Sequence, residues 1–91
     1  MDTYDKICFN QTSFDLYDKF IQEAISILIS IKMLEEKEMY EDCIIMLSDL
    51  DYARDEFSTK IASIIKEPFE DVREILNETI TTTKIEVNRD E

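Results

Sequence analysis

Glycine is absent from this chain, as are histidine and tryptophan, and proline occurs once, at position 68. Without glycine the sequence lacks the residue that most easily takes left-handed backbone, so tight hairpin turns and phosphate-cradling loops are not expected. Without histidine it lacks the commonest general base at neutral pH and most zinc and di-iron ligand sets. Any catalysis would fall to carboxylates. Cys8 and Cys43 stand far apart and fit no metal or redox spacing, so each reads as a small apolar side chain in a reducing compartment. No apolar run approaches the length of a membrane span, and the first residues lack the cationic start and apolar stretch of an export signal. The sequence therefore predicts a cytoplasmic protein with no membrane association, in which the sequons at Asn10 and Asn77 are chance matches.

Apolar residues make up 44% of the chain and charged residues 35%, a balance that suits a folded domain rather than a disordered acidic tail. Its 91 residues suit one domain with one core, spanning 1–91. A domain this small leaves apolar surface exposed unless something covers it, so a homo-oligomer, a dimer or larger, is expected.

Apolar spacing supplies the fold. Tyr17, Ile21, Ala24, Leu28 and Ile31 recur three and four apart, which predicts a helix over about 13–38. Thr12 or Ser13 would cap it, with Asp15 completing a capping box from Thr12. The stretch Ile25–Ile31 also alternates like a strand, but its helical flanks outvote it. A second helix, about 40–66, carries Tyr40, Cys43, Leu47, Leu50, Phe57, Ile61 and Ile64 on its seam, interrupted by Arg54. Extending the first seam past Ile31 lands on Glu35, Glu38 and Asp42, so the chain is expected to turn back within 35–40, although Glu35–Met39 is good helix sequence. Pro68 ends the second helix and starts a short third one, about 68–79. The run Thr79–Thr83 weakens that helix, leaving Lys84–Val87 extended beside Ile7–Cys8–Phe9, or frayed. The expected fold class is all-α: a helical hairpin plus a short third helix in a small bundle, with irregular or short extended termini.

Acidic residues number 22 against 10 basic ones, giving a formal charge of −12 spread along the chain. Asp42, Asp49 and Glu56 fall seven apart on the second helix, a column of about 10 Å per step with Asp55 beside it. Such a column is either a solvated face that keeps the chain soluble or a docking face for a basic partner, including a protein whose nucleic-acid groove expects phosphates. Scattered basic residues give no footprint for direct nucleic-acid binding. In Cys43–Leu47 five apolar residues cover more than one turn, so Ile44, Ile45 and Met46 cannot all face the seam and form a second candidate contact. The paired-carboxylate pattern of all-helical magnesium pyrophosphohydrolases is not matched: Glu35-Glu36 leads to Met39, and Glu38 with Glu41 has no second half. No catalytic, cofactor-binding or metal-binding residue is assigned. The reading is a small acidic protein-binding module, one form of which is an inhibitor that occupies a basic or nucleic-acid-binding site on its target. Its alternative is a structural or assembly subunit that self-associates through apolar helix faces.

Overall fold

The computed structural model describes residues 2–89, and they form four helices: α1 (Thr3–Phe9), α2 (Gln11–Glu36), α3 (Tyr40–Ile65) and α4 (Phe69–Asn88). No strand occurs among the described residues, so the alternating stretch Ile25–Ile31 resolves as helix. α2 and α3 pair as the expected hairpin, and α4 returns along both. Among the described residues no helix is long and apolar enough to cross a membrane.

The hairpin turns without glycine. Glu38 takes left-handed backbone (φ 60°) just past the end of α2, and the Met39 N–H donates back to the Leu34 carbonyl at 2.9 Å. Lys66 does the same after α3 (φ 55°), with the Glu67 N–H donating to the Ala62 carbonyl at 3.1 Å. These closures satisfy carbonyls that a helix end leaves unpaired, and glycine is their usual occupant.

Two apolar clusters hold the helices together. Phe20, Ala24 and Leu28 of α2 meet Leu50 and Phe57 of α3 and Leu76 of α4, with the Phe20 and Phe57 rings 5.6 Å apart. Nearer the other end Ile7, Ile61, Ala62 and Val72 join α1, α3 and α4.

The termini correct the sequence reading. Residues before the hairpin form a capped helix, because the Asp2 carboxylate accepts from the Asp5 N–H at 2.8 Å and Ile7 gains a fully buried site. Asn10 caps α2 in place of Thr12 or Ser13, its side-chain oxygen accepting from the Ser13 N–H at 3.0 Å. Ser13 is buried, its hydroxyl donating to the Ile7 carbonyl at 2.8 Å. α4 continues through the threonine run to Asn88 rather than stopping near 79 or turning extended. Thr79, Thr81 and Thr83 each donate a hydroxyl to the carbonyl four residues earlier, and Ile80 and Val87 pack against the main cluster. Tertiary burial thus outweighs the weak helix preference of β-branched residues.

Three substitutions test the left-handed turn and the buried hydroxyl of Ser58. Lys66→Gly should remove the left-handed penalty and stabilise the fold by up to about 1 kcal/mol, a thermal shift of several degrees, whereas Lys66→Val should lower Tm. Ser58→Ala should be neutral or stabilising by about 1 kcal/mol, because the fully buried Ser58 hydroxyl has no hydrogen-bond partner among the described residues.

Candidate partner-binding surface

α3 sits against all three other helices, yet they cover it unevenly. Tyr40, Ile44, Leu47 and Asp51 recur on one stripe, and the same stripe continues to Ser58 and Ala62. Ser58 and Ala62 are buried, whereas Tyr40, Ile44 and Leu47 are exposed. α4 has 20 residues against 26 in α3; it begins at the C-terminal end of α3, and its last turn leans on α2, where the Val87 carbonyl accepts from the Lys32 ammonium at 3.2 Å. Along α3, Thr81 and Lys84 of α4 share a cavity with Leu47.

Where α4 meets the hairpin there is a cavity of about 310 Å³, with Leu28, Ile31, Leu47, Leu50 and Ile80 among its walls. Arg54 closes one side of it. The guanidinium donates to Asp55 (3.0 Å), Asp51 (3.2 Å) and the Asn77 amide oxygen (3.1 Å), tying α3 to α4. At the hairpin a second hollow of about 560 Å³ is lined by Met39 and Tyr40 with Glu38, Glu41 and Asp42.

The sequence-derived residues divide among four settings. Ile44 and Ile45 are exposed (64% and 59%), but on different sides of α3. Met46 is half-buried and packs against the main cluster, so it leaves the contact set. The phase of the helix explains this: Met46 lies three residues after Cys43 and four before Leu50, both in the core. Asp42, Asp49 and Glu56 do share one face; Asp49 and Glu56 are exposed, Asp42 is half-buried, and Glu56 is paired with Lys60 at 3.2 Å. Asp55 is not in that column. It bridges Arg54 and, at 3.1 Å, Arg73, which makes it a fastener between α3 and α4.

Tyr40 and Leu47, assigned to the seam by spacing, are exposed, as are Met39 and Tyr52, which spacing did not single out. Arg54 was the available signal, because a guanidinium on the seam marks where the stripe ceases to be plain core. Among the described residues no three His, Cys, Asp or Glu side chains gather to hold a metal ion. Burial pushes the Cys43 thiol up, assisted by the Glu35 and Asp42 carboxylates, and its Sγ lies 3.7 Å from the Ile31 carbonyl, so it stays a protonated core group.

The chain matches no known protein family, no curated protein and no solved structure. Its surface must therefore be read on its own chemistry.

The Asp55 bridge generates a prediction. Hydrogen bonding from Arg54 and the charges of Arg54 and Arg73 outweigh burial and hold the Asp55 carboxyl below its usual value. A depressed carboxylate stabilises the fold above its unfolded pKa of about 3.9, and that contribution disappears as pH falls through the lower folded value. Asp55→Asn should cost no more than about 1 kcal/mol at pH 7, since the side chain is 47% exposed, and should flatten the acid limb of a Tm-against-pH curve below about pH 4. An unchanged acid limb in the variant would refute the assignment.

Proposed function

We propose that this protein is a cytoplasmic, non-catalytic, single-domain module that binds another protein through the N-terminal half of α3. The observation that supports the reading best is the uncovered start of that helix. Tyr40, Ile44 and Leu47 are exposed along one stripe there, and Ile45 and Tyr52 are exposed on an adjacent side, over little more than three turns. Scattered exposed apolar side chains are ordinary, but several on one short segment mark a contact surface. Asp42 and Asp49 lie beside Ile45, so the apolar groups are flanked by carboxylates. A surface of that composition suits a basic target, including a nucleic-acid-binding site that the module would occupy as an inhibitor.

Self-association is the second reading, favoured by a separate feature. Ile29 and Met33 are exposed one turn apart on the outer side of α2, away from the core residues Phe20, Ala24 and Ile31. A second copy could cover them and make the chain an assembly subunit. Formal charge of −12 per chain opposes such pairing, more so at low salt.

The test is recovery of a partner from the native host. The wild-type chain should retain a partner that Ile44→Asp/Ile45→Asp loses, while circular dichroism and Tm stay near wild type because both positions are exposed. Retention of the same partner by the folded double variant would move the contact elsewhere. Under the self-association reading, sedimentation should instead show an oligomer that Ile29→Asp/Met33→Asp converts to monomer.

A further inference from the structure

Resting on the protein-binding reading, we infer that the track along α3 from the α2–α3–α4 cavity to the hairpin hollow is a docking groove for a basic amphipathic helix of the partner. Leu47 is shared between the cavity wall and the exposed stripe, and Ile44 and Tyr40 follow it at one-turn intervals. From Leu50 to Tyr40 the track is about 15 Å long at 1.5 Å per residue, room for about three turns of a second helix. A helix laid there would place apolar side chains at three- and four-residue spacing into the cavity and against Ile44, the usual way a groove holds an amphipathic helix.

Charge selects the occupant. At the cavity, Asp51 is bonded to Arg54, and the lining holds both Glu35 and Lys84, so that end is nearly balanced. At the hairpin end the hollow around Met39 and Tyr40 is bounded by Glu38, Glu41 and Asp42, with no basic residue in its lining. A lysine or arginine from the partner would lay its stem on Met39, face the Tyr40 ring and reach the three carboxylates. A second copy of this chain fits the groove poorly, because face-to-face pairing would oppose two such carboxylate sets. An acidic helix fails for the same reason. The partner helix is therefore apolar on one side and basic toward the end that meets the hairpin.

The probe is a synthetic helical peptide of roughly 18 residues, about five turns, with leucine on one face and lysine on the other. Its control replaces every lysine with glutamate. Fluorescence anisotropy with the full chain should show binding of the lysine peptide and none of the glutamate peptide. Ile44→Asp/Leu47→Asp should weaken binding about tenfold or more, although it adds two negative charges, because it removes apolar anchors. Glu38→Lys/Glu41→Lys should weaken it as well, whereas Glu74→Lys/Glu78→Lys on α4, with the same charge change, should alter it less than about twofold. Circular dichroism of each variant separates lost binding from lost fold.

Equal or tighter binding by Ile44→Asp/Leu47→Asp would overturn the groove, since charge alone would then hold the peptide. Binding of both peptides alike would overturn the basic partner. If the wild-type chain ignores the lysine peptide, the inference falls. Loss of the host partner on Ile44→Asp/Ile45→Asp would still leave the broader protein-binding reading standing.

Discussion

The register between α2 and α3 is set where Phe20 meets Phe57, rings 5.6 Å apart and tilted 57° in the middle of the hairpin. Buried aromatic pairs combine a large apolar area with a preferred geometry, so sliding one helix past the other would forfeit both. The two positions are nearly equidistant along the chain from Glu38, which puts the reversal at 37–39. Everything downstream follows from that alignment. α3 must run the length of α2, Lys66 must turn the chain at the far end, and α4 must start with its Val72 against Ile61 and climb back toward the hairpin. The first turns of α3 stay exposed while the last turn of α4 lies against Lys32 and Glu35 of α2.

Much of this architecture was legible in the sequence. The α2 seam residues Ala24, Leu28 and Ile31 are core, and Tyr17 and Ile21 are half-buried beside them. The turn within 35–40 followed from the seam running into Glu35, Glu38 and Asp42, even though the local residues favour helix. What could not be read is what depends on distant neighbours. Tyr40 and Leu47 have the same spacing as true core positions and yet stay exposed. The N-terminal helix hangs on Ile7 finding Ile61 and Val72, which spacing within Asp2–Phe9 does not encode. The threonine run stays helical through back-bonded hydroxyls and the burial of Thr83 and its neighbours.

For the candidate surface the sequence pointed to α3, and the structure shows which of the residues named there are exposed. Five successive apolar residues signalled that α3 had more than one apolar side, which Ile44 and Ile45 bear out by their exposure. Met46 belonged to the core phase. Among the carboxylates, a seven-residue repeat located the shared face of Asp42, Asp49 and Glu56, but proximity in sequence placed Asp55 with them when its geometry makes it structural. The distinction is physical. An acidic side chain already matched by two guanidinium groups has little field left to offer a partner, whereas Glu38, Glu41 and Asp42 bound a hollow whose lining holds no basic residue.

The attachment of α1 bears on how the chain assembles. Lys6 pairs with Glu67, and Ile7 packs on Val72, contacts that span some sixty residues of sequence, while the three long helices are joined by links of only a few residues. Closing a long loop carries a larger entropy cost than closing a short one, and it is repaid here by one small helix. α2, α3 and α4 can therefore collapse together before α1 makes its distant contacts, and α1, held locally by the Ser13 bond to the Ile7 carbonyl, is expected to detach before the three long helices part. Its release would bare Ile61 and Val72 at the end of the bundle remote from the hairpin, so a protease or chaperone would meet the molecule there first.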